Sequence, residues 1–343
     1  MTHPDPALAL IDLEFKLLNC FQRGFPLLAH PFAALAKQLE TTEASVIDHL
    51  QCLQERGLIS RVGAVFRPNA IGASALAALA VPVDRLEDVA SYISAIPEVN
   101  HNYEREHRFN LWFVVTASSA ARLRAVLRDI EDVSQCGETL VLPLQEDYHI
   151  DLGFDLLARS DQKFSFATAP SSKTGLFPTA PFILSAAEQT LVAALQNGLP
   201  LIPRPFASLG LPEHESIAMI ARWLDDGVIK RLGVVVRHHE LGYRANAMAV
   251  WDVPDSVVSE IGQAIAATGQ VTLCYRRPRQ LPNWPYNLFC MIHGKDRTEV
   301  AARIGALAEI CKLDPYPHAI LFSRTRFKQC GARYAPIPEV AHG

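Results

Sequence analysis

The chain repeats itself, and that repeat limits its possible folds more than any other feature. Glu14, Leu17, Gly24, Pro26, Leu27 and the run His30-Pro31-Phe32-Ala33-x-Leu35 recur 174 residues later as Glu188, Leu191, Gly198, Pro200, Leu201 and Arg204-Pro205-Phe206-Ala207-x-Leu209. After a four-residue contraction, Gly57-x-Ile59-x-Arg61-x-Gly63-x-Val65-x-Arg67 returns as Gly227-x-Ile229-x-Arg231-x-Gly233-x-Val235-x-Arg237, and Gly72 as Gly242. Val81-Pro82 then pairs with Val253-Pro254, Tyr103-x-Arg105 with Tyr275-x-Arg277, and Asn110-Leu111 with Asn287-Leu288. A period this long is a whole module, so the 343 residues must form two copies of one architecture. Residues 156–182, rich in Ser, Ala, Thr and Pro and without a sustained period, read as the core of a linker.

Within each copy the apolar period changes. Residues 8–22 carry Leu10, Leu13, Leu17, Leu18 and Phe21 at helical spacing until Gly24 and Pro26 end the pattern. Pro31 to Leu39 reads as a second, short helix. Thr42 caps a third, with Val46, Ile47, Leu50 and Leu53 inward and Gly57 as its stop. Residues 58–67 alternate as a two-stranded wing would, which makes the unit a winged helix-turn-helix. Strand 75–83, helix 86–96, strands 99–105 and 111–116, helix 120–130 and strand 139–144 follow in βαββαβ order, that of a ferredoxin-like sandwich. The second copy repeats it at 245–253, 255–267, 270–277, 286–293, 297–312 and 318–323. The expected class is α+β, with winged helix-turn-helix units at 8–68 and 183–240, ferredoxin-like domains at 72–152 and 244–330, and a linker at 153–182. The two copies are expected to pack as a pseudo-dimer through their sheets.

Composition closes several routes. No run approaches the roughly 18 uncharged apolar residues of a membrane span, and Met1-Thr-His-Pro-Asp-Pro has no signal-peptide pattern, so a cytoplasmic protein with no membrane partner is expected. Seven scattered cysteines, none in a C-x-x-C pair, support neither a disulfide framework nor a zinc cluster. A net charge of −4 argues against coating nucleic acid through bulk charge. Gly-rich phosphate loops, a serine nucleophile elbow and H-E-x-x-H are absent.

A winged helix followed by βαββαβ resembles the Lrp/AsnC family of transcription regulators, which implies a DNA-binding protein responding to haem or another tetrapyrrole as one reading. A DNA-reading helix carries Arg or Lys toward phosphates and base edges. Here residues 43–56 hold Glu43, Asp48 and Glu55 against Arg56, and residues 213–226 hold Glu213, Glu215, Asp225 and Asp226 against Arg222. DNA is therefore disfavoured as a partner, although the wings are more basic through Arg61, Arg67, Lys230, Arg231, Arg237, His238 and His239.

Three further motifs point elsewhere. Val99-Asn-His-Asn-Tyr-Glu-Arg105 leads into Phe109-Asn-Leu-Trp-Phe113, the long run from Cys274 to Gly294 fills the matching place, and each copy opens with Gly-x-Pro-Leu followed by Arg/His-Pro-Phe. Together they resemble the siroheme decarboxylases, Lrp-like enzymes of the NirD/NirL and AhbA/AhbB group, over nearly the whole chain. The first half is like NirD or AhbB and the second like NirL or AhbA. The resemblance implies loss of carbon dioxide from two acetate side chains of siroheme, giving 12,18-didecarboxysiroheme on the way to haem d1. It implies no cofactor beyond the substrate's own iron tetrapyrrole. Siroheme is the expected partner, with other haem d1 biosynthesis proteins or a second copy of the chain as further ones. A carrier that binds tetrapyrroles without chemistry is the third reading.

Such a reaction needs cations for a planar polyanion, desolvation of the departing carboxylate and a proton for the carbon left behind. Strand alternation puts His101, Tyr103 and Arg105 on one face, an acid, a phenol and a guanidinium, with His101 and Tyr103 as catalytic candidates and Arg105 as a substrate-binding one. A histidine suits the proton transfer because its ordinary pKa, near 6.5, lies close to neutrality. His101 aligns with Leu273 and His293 with Thr116, so each half keeps one histidine the other lacks; the expectation is one composite pocket in which His101 donates a proton and His293 is a second donor or an axial ligand to the substrate's iron. For each histidine, a structural role on a polar or buried strand is the alternative. Arg276 and Arg277, with Arg279 beside them, are candidates to clamp carboxylates, as are Arg61 and Arg231 between wing and sandwich; a solvated loop and ion pairs to the third helix are the plainer readings. Trp112, Trp284 and Tyr286 could stack on the macrocycle or serve as core. His149, closing the first sandwich, is a weaker third histidine.

Overall fold

The computed structural model describes residues 11–150, 184–237 and 245–334; the expected linker, His238, His239 and Gly242 lie outside them. The first copy runs α1 (Asp12–Cys20), α2 (Pro31–Gln38), α3 (Glu43–Glu55), β1 (Ile59–Phe66), β2 (Ala73–Leu79), α4 (Leu86–Ala95), β3 (Val99–Arg105), β4 (Leu111–Ala117), α5 (Ala120–Ser134), β5 (Leu140–Pro143) and β6 (Glu146–Ile150). The second runs α6 (Ala186–Leu195), α7 (Glu213–Asp225), β7 (Ile229–Val236), β8 (Ala245–Trp251), α8 (Val258–Ala267), β9 (Leu273–Arg276), β10 (Leu288–Gly294), α9 (Arg297–Ile310) and β11 (His318–Gln329). The counterpart of α2 shrinks to a 3-10 turn at Pro205–Ser208. Helix starts follow their caps: Thr42 Oγ1 accepts from the Ser45 N–H, and Ser185 and Glu188 form a capping box.

The two-stranded wing expected in each copy is a single strand. Residues 59–66 contain no turn, so β1 must satisfy its edge elsewhere, and it pairs antiparallel with β7 of the other copy, with Gly63 opposite Gly233. The glycines admit the opposite copy's chain, at Gly198-x-Pro200-Leu201 for Gly63 and just before Gly24-x-Pro26-Leu27 for Gly233. A Cβ at Gly63 would stand 2.9 Å from Gly198 Cα, and one at Gly233 would stand 2.4 Å from the Phe21 carbonyl oxygen. Leu199 N–H donates to the Val62 carbonyl at 2.7 Å and Val234 N–H to that of Phe21 at 2.8 Å. Both helix-turn-helix units thus share one apolar core, Leu17, Leu50 and Phe32 packing with Leu191, Phe206 and Trp223.

The sandwiches join as closely. One nine-stranded sheet has the order β5-β2-β4-β3-β11-β8-β10-β9-β6. β11 pairs with β8 through His318–Phe322 and then with β3 of the first copy through Ser323–Gln329. β6, expected to close the first sandwich, instead pairs with β9 of the second. The crossing has a simple origin: the C-terminal strand of each copy, β6 or the far end of β11, runs past its own sheet and supplies the edge the other copy lacks. Helices pack on one face of each half-sheet, around Phe113 and Ile130 in the first copy and Trp251 and Leu307 in the second. The opposite faces meet in a core of Leu76, Trp112, Met248, Trp284, Phe289 and Leu321. The Val/Asn repeats are explained too: the Asn110 amide bonds both N–H and C=O of Val81, and Asn287 does the same for Val253.

Candidate active site

His101 reaches the inner face through a bulge. Val99 is buried in the helix-side core, and a regular strand would send His101 the same way; the register shift between Val99 and His101 turns it inward, opposite Val114. Asn102 points back to the helices, donating to the Ala90 carbonyl at 3.0 Å. Tyr103 and Arg105 therefore follow His101 onto the inner face. The His101 and Tyr103 rings stack with centroids 6.4 Å apart, and the Arg105 guanidinium lies 5.6 Å from the Tyr103 centroid.

A polar relay behind β3 orients the imidazole. Thr116 Oγ1 lies 3.2 Å from Ser74 Oγ and accepts from Asn100 Nδ2 at 2.9 Å, which turns Asn100 Oδ1 toward His101 Nδ1 at 2.8 Å. Nδ1 is then the donor, and Nε2 is the atom through which a proton would be exchanged. Burial pushes the His101 pKa down to about 4. His293 on β10 is held alike: Thr272 Oγ1 donates to the Met291 carbonyl at 2.9 Å and faces His293 Nδ1 at 2.9 Å. Its pKa is also pushed to about 4, by burial first and then by the Arg105 charge.

Arg105 stands at the seam between the copies. It is buried, donates to the Leu321 carbonyl at 3.0 Å and reaches Asn246 Oδ1 at 3.4 Å, while Ser323 donates to the same Asn246 oxygen at 2.8 Å. Asn246 is the register partner of His293 and Ser323 that of Arg105. Burial lowers the Arg105 pKa to about 10, partly countered by Tyr103 and Tyr275. Inner-face groups of β3 and β10 are thereby linked through a buried cation. Asn100, Asn246 and Ser323 carry this arrangement and escaped the sequence analysis; the one signal was that Asn246 and Ser74, both polar, begin matching strands.

The other candidates are placed differently. Arg231 donates to the carbonyls of Gln22 at 2.7 Å and Val234 at 3.1 Å; Arg61 donates to the Ala64 carbonyl at 3.1 Å and lies against Gly331. Among the described residues, these contacts are to backbone rather than to the acidic third helices weighed above. Arg276 pairs with Asp255 at 2.8 Å, and Arg279 with Asp252 at 2.6 Å and Asp255 at 3.0 Å, so the basic loop is neutralised on the protein. Arg277 is buried over the Tyr275 ring at 4.5 Å and donates to the Leu142 carbonyl. Trp112 and Trp284 are fully buried against each other, centroids 5.0 Å apart, with Tyr286 on Trp284; in this structure they are core. His149 lies on β6 opposite Cys274, which belongs to the helix-side core. Among the described residues no three of His, Cys, Asp or Glu gather as a metal-ligand set, and no helix is long and apolar enough to cross a membrane.

Relatives fit both the duplication and the site. The family model for an AsnC-like ligand binding domain matches residues 70–149 and 240–328, and that for a siroheme decarboxylase NirDL-like HTH domain matches 14–59 and 188–230. The chain is 41% identical over 331 residues to the siroheme decarboxylase NirDL subunit of Paracoccus denitrificans, covering 95% of this chain and 98% of that one. It is 43% identical over 335 residues to the NirDL subunit of Paracoccus pantotrophus, again covering 95% and 98%. The crystal structure of the siroheme decarboxylase NirDL matches with a TM-score of 0.69 at 29% identity over 94% of both chains. A structure of NirDL in co-complex with an iron-uroporphyrin III analogue matches at 0.68 with 28% identity, covering 94% of this chain and 93% of that one. With both halves matched, end to end and in fold, this chain belongs to the siroheme decarboxylase NirDL family.

Proposed function

We propose that the protein removes carbon dioxide from two acetate side chains of siroheme, giving 12,18-didecarboxysiroheme for haem d1 synthesis. The observation that carries the reading is the inner face itself, where Arg105, next to Tyr103 and, through it, His101 on one half, reaches Asn246 and acts on His293 of the other. In each round the bond between the acetate methylene and its carboxylate breaks, carbon dioxide leaves, the electron pair stays on the carbon attached to the macrocycle, and one proton converts that carbon to a methyl group. The iron belongs to the substrate.

The residues suit these needs. Arg105 is a desolvated cation suited to a carboxylate, and the apolar walls around it disfavour the charge that is lost on reaction. His101 and His293 are neutral in the free protein near pH 7, and a carboxylate brought beside either one favours its protonated form. Binding would therefore load the proton that the reaction consumes. His101 is the proton donor in this reading, His293 the second donor or an axial ligand to the substrate's iron, and Tyr103 keeps His101 in place by stacking. The helix-turn-helix units offer DNA little: the first turns of α3 and α7 carry Glu43 with His30 at 3.9 Å and Glu213 with Arg204 at 2.5 Å.

Anaerobic incubation with siroheme, then mass analysis of the extracted tetrapyrrole, tests the reading. Loss of two carboxyl groups is expected; tight binding with unchanged mass would leave a carrier or sensor instead.

A further inference from the structure

The exchanged strands create two matched places whose side chains do not match. On β3, Tyr103 faces Arg326 and His101 faces Gln329 of β11. On β9, Tyr275 faces Asp147 and Leu273 faces Ile150 of β6. Asp147 is a little-exposed acid at 3.5 Å from Lys230. One place therefore puts an arginine and a histidine on the strand pair, and the other an ion-paired acid and a leucine.

A cavity of about 260 Å³ opens at the first place, where the end of β7 meets the end of β11, lined by Arg237, Arg326, Phe327, Lys328 and Gln329. Three of its five lining residues are cationic and none is acidic. Arg326 donates to Gln329 Oε1 at 3.3 Å, Lys328 Nζ is anchored on the Ile96 carbonyl at 2.9 Å, and the Arg237 guanidinium passes over Gly57. The Arg326 charge acts on the Tyr103 hydroxyl, opposing the rise that burial causes there. The pocket thus runs along the β11 residues whose register partners on β3 are Tyr103 and His101, between ribbon and sandwich.

We propose that Arg326, with Arg237 and Lys328 beside it, seats a tetrapyrrole carboxylate other than the one that leaves, and so holds the macrocycle edge at His101. This rests on the decarboxylase reading. A substrate with carboxylates around its rim must place several at the protein surface while one reacts inside, and a cationic pocket beside the reacting group answers that need.

The test uses the full chain, siroheme, absorbance titration for binding and mass analysis for turnover. Arg326→Gln is expected to raise the Kd and KM for siroheme about tenfold to hundredfold with kcat within a few-fold, as for a lost hydrogen bond between charged groups, and Arg326→Lys to recover part. Arg324→Gln, on the same strand but outside the pocket lining, is expected to change either constant less than about twofold. If the wild type decarboxylates siroheme while Arg326→Gln and Arg326→Glu bind it as tightly as wild type, the pocket proposal is overturned and the decarboxylase reading stands. If the wild type leaves siroheme unchanged yet Arg326→Gln loses binding, the reading fails and the pocket is supported as an anion site.

Discussion

His101 owes its place to one bulged residue and one amide. Asn100 →Ala removes the group that fixes Nδ1 as donor, so turnover is expected to fall about tenfold to hundredfold with siroheme affinity kept, measured as kcat and Kd separately. Both histidines also link stability to pH. Their folded pKa values, about 4, lie below the ordinary 6.5, so the unfolded chain binds more protons between those values; stability is fully present above about pH 6.5 and lost as pH falls toward 4. Urea unfolding at pH 7.5 and pH 5 should show wild type losing on the order of a few kcal/mol, with a smaller loss in His101→Gln. An equal loss in that variant would place the acid sensitivity elsewhere. Alternation made the His101, Tyr103 and Arg105 triplet legible in the sequence. The bulge that flips it from Val99's side was not, because it is set by register against β4; Asn246 was not because its partner is a buried arginine 141 positions away, nor Ser323 because it bonds Asn246 77 positions away.

At the level of elements, the sequence carried helices and sandwich order well, since apolar period and capping are local. It misplaced what depends on the other copy: β1 and β7 alternate like wings, yet each is one strand whose partner lies about 170 residues away, and β6 follows β5 by two residues but joins the opposite edge of the sheet. The close packing of the ribbon gives a prediction. Gly233→Val would drive a side chain into the Phe21 and Gln22 carbonyls at 2.4 and 2.5 Å, and is expected to destabilise by about 2–4 kcal/mol, lowering Tm by several degrees. Gly305→Ala, on α9 with nothing within 4 Å of the new Cβ, is the control and should hold or slightly raise Tm.

The duplication makes a pseudo-dimer in one chain. Neither half keeps its edges satisfied alone: β1 needs β7, β3 needs β11 and β9 needs β6. Residues 1–152 and 183–343 expressed separately are therefore expected to be poorly folded and inactive, and to regain activity when co-expressed; full activity of either half alone would refute a site built across the seam. Arg105 expresses the same dependence at one atom pair, a first-copy guanidinium on a second-copy carbonyl. The most direct test of that composite site is anaerobic turnover of siroheme by wild type, His101→Ala and His293→Ala, read as the mass of the extracted tetrapyrrole. Loss of two carboxyl groups with wild type and a fall of about a hundredfold or more in either variant is the predicted result; near wild-type loss of both carboxyl groups in His101→Ala would contradict it.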